Sequence, residues 1–368
     1  MSLLAGTDTR TPAPQATEEF AARFGVALDD FFRTRPDVDA ARELAGEVRA
    51  LVLAGGKRMR PAFAWWGWRA AGGEACGDAA EATVRALVSL ELLQCCALVH
   101  DDVMDRSATR RGRPAVHEAF AARHRRHRWS GSARHHGDCA AILVGDLALA
   151  WADDALVTAG LPAAALRRAW RPWQEMRTEM MAGQHLDLLA TARREGSLEA
   201  ALRVASLKTA AYTVERPLHL GAALADAPAD LIGCLREFGR DIGVAFQLRD
   251  DLIGVFGDGA VTGKPVGEDL REGKRTPLMA IAVARATAAG DHAARRTLLR
   301  CLTGVPITDE TVAAVRALLV DLGAVEAVER LIDTLTASGL AALDRAAVDE
   351  VARTHLKRLA ARAVHRRD

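Results

Sequence analysis

A single all-α domain is predicted for this 368-residue chain by three features. Apolar residues recur at spacings of three and four along almost its whole length, no segment alternates apolar and polar residues as a half-buried strand would, and no fixed-period repeat is present. The composition agrees. Ala, Leu, Arg and Gly dominate, there is one Tyr, and β-branched runs are few, which favours helix. With half of the residues apolar, the chain can build a substantial core.

The elements follow in order. Residues 1–16, rich in Thr and Pro, read as a disordered lead, and 17–368 as the domain. ATEEFAARFGVALDDFF and VDAARELAGEVRALVLAG repeat apolar residues with helical spacing, and the second stops at Gly55-Gly56. A new helix is expected from Arg60-Pro61, since Pro suits a first turn. EATVRALVSLELLQCCALVHDDVMD forms one long apolar helix with its charges gathered at the C-terminal end. The basic, His-rich stretch that follows reads as a short helix and a mobile loop. Helices are expected at 137–158, 163–192, 197–224 and 228–256. A polar, Gly-rich segment at 257–275 interrupts them, and further helices fill 276–362.

Charge balance is close, 49 Lys plus Arg against 48 Asp plus Glu. It gives no ground for a nucleic-acid partner, and Trp65, Trp66 and Trp68, which do not share one helix face, are read as packing residues. No uncharged run reaches the roughly 18 residues of a membrane span, so no integral membrane segment is expected. Six cysteines without a CxxC pair in so core-rich a chain point to a reduced, cytoplasmic setting.

The charge is informative locally. Asp101 and Asp105 are four residues apart at the end of the apolar helix and share a face, with Asp102 about 100° round it. Like charges there repel and oppose the helix dipole, so a cation is expected. An all-oxygen donor set suits Mg²⁺, which binds phosphate alongside one or two carboxylates. Alone, this cluster would equally suit a solvated helix end. Asp250 and Asp251 change the balance because they lie inside FGRDIGVAFQLRDDLIGVFGD, where an unpaired Asp pair is expensive. Asp241 and Arg249 are assigned to the wet face of that helix.

Lysine is scarce, with only five in the chain and no Asn at all. Lys57, Lys208, Lys264 and Lys274 all fall beside anion-binding candidates, and a compact point charge serves a phosphate oxygen in a way Arg does not. Gly55-Gly56-Lys57-Arg58-Met59-Arg60-Pro61 is a glycine turn entering a helix, where free N–H groups and cations favour an anion. Arg110, Arg111 and Arg113 follow the first acidic cluster closely.

GGKRMRP, DDVMD followed by RSATRRGRP, GQHLDLL at 183–189, Lys208-Thr209, and FQLRDDLIGVFGD with TGKPVGEDLREGKRT together resemble the ordered motifs of the trans-isoprenyl diphosphate synthases. The resemblance runs from about residue 20 to 360, and the wording of the last motif is similar to actinobacterial geranylgeranyl diphosphate synthases. It implies an isoprenoid-synthase-type helical bundle around a central cavity, assembled as a homodimer. It implies Mg²⁺, three ions per site with Mn²⁺ as a substitute, on Asp101, Asp105 and Asp250, with Asp102 and Asp251 in support. Arg110, Lys208, Thr209, Gln247, Lys264 and Lys274 would hold the allylic diphosphate. Gly56, Lys57, Arg60, Gln94 and Arg111 would hold isopentenyl diphosphate.

The implied chemistry is ionisation of the allylic diphosphate, attack by the isopentenyl π-bond and loss of a proton, with the segments 106–136 and 257–275 as lids against water. Chain length would be set by small Cys96 and Ala97, then by Leu93 and Leu90 one and two turns deeper. A C20 product is expected, with C15 and C25 as alternatives. Gly254 stands where a full second motif has its third Asp, and Asp258 is a candidate to compensate.

Rival readings are a class I terpene cyclase, a non-catalytic synthase subunit, and a phosphohydrolase built on His100-Asp101, for which only His185 and His219 could supply further ligands. Di-iron bundles are excluded because no Glu-x-x-His occurs. His124, His127, His135 and His136 are read as a basic lid or solvated loop.

Overall fold

Long apolar helices need several neighbours to bury them, and the chain solves this as a helical bundle. The computed structural model describes residues 13–257, 267–303 and 305–365, with backbone alone for 13–17. Its helices are α1 (Ala13–Arg33), α2 (Arg42–Leu53), α3 (Met59–Ala70), α4 (Asp78–Ala86), α5 (Val88–Asp105), α6 (Val116–Arg126), α7 (Ala133–Val157), α8 (Ala163–Arg193), α9 (Leu198–Val204), α10 (Arg216–Leu224) and α11 (Ala229–Phe256). After the interruption come α12 (Glu268–Glu272), α13 (Pro277–Ala288), α14 (His292–Cys301), α15 (Asp309–Asp321), α16 (Ala324–Arg345) and α17 (Glu350–Val364).

Around the centre, α5 packs along α7, α10 along α3 and α8, and α11 against both α16 and the π-helical segment Ala205–Glu215 that joins α9 to α10. Leu90, Leu92, Leu93, Trp173, Met176 and Phe238 lie fully inside. Trp65 stacks on Phe20 at 5.2 Å and Trp66 on His355 at 3.7 Å, so the tryptophans are packing residues as expected. Asp78–Asp105 is long and apolar enough to cross a membrane by composition, yet 78% of its most apolar stretch is buried inside the bundle. It is a core helix.

The structure departs from the sequence reading at several points. Helix α1 already begins at Ala13, inside the segment read as a lead. The long apolar helix is interrupted at Leu87, between α4 and α5. Segment 106–136 is built rather than open. It holds a two-stranded antiparallel ribbon, Thr109–Arg110 (β1) against Arg113–Pro114 (β2), and then α6, whose His117, Phe120 and His124 are buried against α7. Trp129 lies 5.3 Å from both His127 and His136, so these rings group together at an exposed corner. Arg249 is not on a wet face. Its guanidinium grips Glu329 of α16 at 2.6 Å and donates to the Val364 carbonyl at 2.8 Å, tying α11 to its neighbours.

Candidate active site

The first acidic wall is the C-terminal turn of α5. Asp102 points away from Asp101 and is 2% exposed. Its Oδ1 accepts from Arg110 Nε at 2.9 Å and from a second guanidinium nitrogen. The ribbon makes this pairing. Arg111 and Gly112 both have positive φ, 53° and 72°, which is the pattern of a tight hairpin turn matched to strand twist. The turn folds Arg110 back onto α5 and sends Arg111 Nη1 to the Gly55 carbonyl at 2.6 Å.

Lys208 answers the other face. Its Nζ lies 2.9 Å from Asp101 Oδ1 and 2.7 Å from Asp187 Oδ2. The π-helical turn brings it there, an irregularity that often marks functional sites. Gly183 permits the approach, since a Cβ at that position would lie 2.2 Å from the Lys208 backbone nitrogen. Burial pushes the Asp101 carboxyl up, but Lys208, Lys274 and Arg110 more than offset this and hold it below its usual range. Asp105 feels Lys208 and Lys274 as well, but burial and Asp101 outweigh them and push it up to about 6.

The second wall is α11. Asp251 is 4% exposed, its Oδ1 accepts from Gln247 Nε2 at 2.7 Å, and its buried Oδ2 has no hydrogen-bond partner. Burial, then Asp269, drives its carboxyl well above the ordinary range. Asp269, on α12, explains Gly254. A Cβ at 254 would meet Asp269 Oδ2 at 2.0 Å. A carboxylate from another helix thus stands beside the position of the missing third Asp, while Asp258 lies outside the described residues. Asp269 Oδ1 is held by Lys274 Nζ at 3.1 Å, and the same ammonium lies 2.8 Å from Glu272 Oε2.

The two walls share a cavity of about 760 Å³. Its polar wall includes Lys57, Arg60, Gln94, Asp101, Arg110, Asp187, Lys208, Thr209, Gln247, Asp250, Asp251, Asp269 and Lys274. Its apolar wall includes Cys96, Ala97, Met180, Met181, Leu188, Tyr212 and Phe246. Most expected site residues thus meet in one place. Gly56 has φ 142° and backs onto the Arg111 guanidinium, 3.3 Å from where a Cβ would lie, while Arg111 lines a smaller neighbouring cavity. Lys264 lies outside the described residues. Leu93 and Leu90 are fully buried but are not on the described cavity wall.

The donor set suits a hard divalent cation. All of its acidic groups are oxygen ligands, and the bare Asp251 Oδ2 is a buried acceptor wanting a positive partner. Among the described residues no three His, Cys, Asp or Glu side chains converge on one metal position. Water and a diphosphate would complete the coordination, which is how Mg²⁺ is usually held. The phosphohydrolase reading gains no metal cluster among the described residues, although His100 and His185 line the cavity. His100 Nε2 is turned to the Ile142 carbonyl at 3.2 Å and lies 3.6 Å from Asp146, and His219 sits by Arg216.

Asp187 and Asp269 are the residues that sequence reasoning passed over. Both stand inside quoted motifs, GQHLDLL and GEDLREGKR. Only the packing of α8 and α12 shows where their carboxylates go.

A cation-rich, acid-walled mouth leading into a partly apolar cavity suits an enzyme that binds a diphosphate and houses a hydrocarbon chain. The polyprenyl synthetase family model matches residues 41–317, and the chain belongs to that family, whose members are prenyltransferases. It is 33% identical over 306 residues to a geranylfarnesyl diphosphate synthase of Aeropyrum pernix, covering 82% of this chain and 85% of that protein. It is 36% identical over 235 residues to a (2E,6E)-farnesyl diphosphate synthase of Mycobacterium bovis, covering 64% of this chain and 59% of that protein. The crystal structure of a geranylgeranyl pyrophosphate synthase of Corynebacterium glutamicum, complexed with isoprenyl diphosphate and magnesium, superposes with a TM-score of 0.89 at 43% identity, covering 97% of this chain and all of that one. The resemblance read from the motifs, and the all-α bundle it implied, are confirmed.

Proposed function

We propose that this enzyme condenses isopentenyl diphosphate with an allylic diphosphate and releases geranylgeranyl diphosphate, C20. The observation that carries the reading is the meeting of Asp101 and Asp251 walls, with Lys208 and Lys274 between them, at the head of one apolar cavity. The relative from Corynebacterium, complexed with isoprenyl diphosphate and magnesium, supports both substrate class and metal. Small Cys96 and Ala97 on the wall leave room beyond a C15 chain.

Asp101, Asp105 and Asp250 would hold three Mg²⁺, or Mn²⁺, and the metal when bound neutralises charge growing on the departing diphosphate. Arg110, Lys208 and Lys274 add preorganised positive charge at the same place, so the allylic C–O bond breaks with less cost than in water. Lys57, Arg60 and Gln94 orient isopentenyl diphosphate so that its π-bond faces the allylic cation. The proton lost afterwards goes to the diphosphate just released, and no protein nucleophile is required. The apolar wall excludes water from the cation.

A homodimer accompanies this reading. Helix α7 leaves Ile142, Leu143 and Val157 45%, 54% and 52% exposed, with the charged Asp146 and Asp154 between them, a mixed face that a second copy could cover. Six cysteines without a disulfide, two of them adjacent and buried at 95 and 96, support a reducing, cytoplasmic compartment. Incubation with Mg²⁺, labelled isopentenyl diphosphate and each allylic primer, followed by chromatography, tests the reading. A C20 product is expected; C15 or C25 would reassign the chain length. Cyclised hydrocarbon would identify a cyclase, and no elongation with any primer would overturn the reading.

A further inference from the structure

Beneath the subsite assigned to isopentenyl diphosphate lies an anion. Glu91, one turn before Gln94 on α5, is 6% exposed, and it sits where the proposed ligand is itself doubly charged. A carboxylate there should weaken anion binding through simple repulsion, so its presence needs a compensating use.

The geometry supplies one. Glu91 Oε2 accepts from Arg58 Nη1, and the other terminal nitrogen of Arg58 donates to the Val52 carbonyl near the end of α2. Arg58 is the residue entering α3 and holds a left-handed backbone, φ 46°, which costs energy in a non-glycine residue. A single side chain thus ties α2, α5 and the turn bearing Lys57 and Arg60 together. The second Glu91 oxygen is buried without a hydrogen-bond partner and lines a cavity of about 20 Å³. That cavity shares Gln94 and Arg110 with the main one and also includes Arg111. Burial lowers the Arg111 guanidinium below its usual value. Arg58, Arg110 and Arg60 push it the same way, and Glu91 is the anion that opposes them.

We propose that Glu91 is a positioning residue for isopentenyl diphosphate. Through Arg58 it fixes the Gly55–Arg60 turn, and its charge lets Arg58, Arg60 and Arg111 crowd one subsite without driving each other apart. This rests on the prenyl-elongation reading of the site, which identifies the ligand.

The two effects of Glu91 have opposite signs, and that makes the test decisive. Titration calorimetry would measure isopentenyl diphosphate binding to the full-length protein, to Glu91→Gln, to Arg58→Gln and to the double variant, with geranyl diphosphate plus Mg²⁺ as the control ligand. Loss of one charge-assisted contact predicts about a tenfold weaker isopentenyl diphosphate affinity in each single variant. The double variant should be no weaker than either single one, because both break the same link. Geranyl diphosphate affinity should hold, so KM rises for one substrate and not the other.

Tighter or unchanged isopentenyl diphosphate binding in Glu91→Gln would overturn the proposal, as would parallel weakening of both ligands with a lowered melting temperature. Should Glu91→Gln fail to fold, Arg58→Gln, at a more exposed site, carries the same test. Wild-type protein that binds isopentenyl diphosphate without elongating it would sink the elongation reading and leave the positioning test intact. Wild-type protein that does not bind it would sink both.

Discussion

The two acidic walls face the same cavity but are maintained in different ways. On α5, Asp101 and Asp102 each have a cation from another element, Lys208 from the π-helical segment and Arg110 from the ribbon. On α11, Asp251 has one neutral partner, Gln247, and a bare oxygen, and its near neighbour Asp269 is another carboxylate. On the first wall Asp101 is thus held ionised before any ligand arrives, even as burial raises Asp102 and Asp105 beside it. The second is a stock of buried carboxyls raised by desolvation and mutual repulsion, and it gains more from a divalent cation.

Breaking the first wall should have the largest effect. Asp101→Asn removes a candidate metal ligand and leaves Lys208 with Asp187 alone. Turnover should fall by at least about 10³-fold, the scale of losing preorganised charge at a reacting centre. Steady-state assay at saturating Mg²⁺ checks this, and activity near wild type would show that α5 does not carry the metal.

The second wall is best probed where it departs from a full motif. Gly254→Asp would restore the third Asp in sequence. Its Cβ would meet Asp269 Oδ2, and the new carboxylate would crowd Asp251 and Asp269. Overpacking predicts a loss of about 1–3 kcal/mol in stability together with reduced activity, measured by denaturant melts and turnover. Gly254→Asp with raised activity would show that Asp269 does not crowd the third position.

How much of this was legible in residue order varies with the kind of feature. Helical periodicity located the long helices and the acidic ends of α5 and α11, because burial of one face imposes spacing on the sequence. The π-helical segment was not legible, since ASLKTAAYTVE has the composition of an ordinary helix and only its fit against Gly183 reveals the wider turn. Asp269 was hidden for the same reason. Its role depends on α12 crossing α11, and no local pattern encodes a crossing. Leu90 and Leu93 are buried in the bundle and do not line the described cavity. A face shared with Ala97 on a helical wheel does not say where a cavity ends.

A smaller effect is expected on the apolar side. Ala97→Phe places a ring on the cavity wall one turn below Asp101. The product should shorten by one isoprene unit while turnover of short primers persists. Product chromatography checks it, and an unchanged C20 product would move the limiting wall to Met180, Met181 and Phe246 on the opposite helices.

The smallest effect tests how the first wall tolerates Asp105, whose cations are outweighed by burial and by Asp101. Asp105, pushed up to about 6, keeps its proton in the metal-free folded state over a range where the unfolded chain, near pH 4, has lost it. Its contribution to stability is therefore gained as pH falls through 6 and lost as pH rises through it. His219 and His355, each held near 4 by burial, act oppositely, losing stability as pH falls below 6.5. The difference between wild type and Asp105→Asn isolates the carboxyl. In EDTA the variant should melt about 2 °C higher at pH 7.5, a figure kept small by solvent screening, and the gap should narrow by pH 5 and close near pH 4, where the unfolded carboxyl also takes its proton. Adding Mg²⁺ with pyrophosphate should reverse it, because a bound cation turns the repulsion of Asp101 and Asp105 into shared coordination. A gap that persists unchanged at pH 5, or that Mg²⁺ with pyrophosphate does not alter, would show that Asp105 stands apart from the metal-binding face.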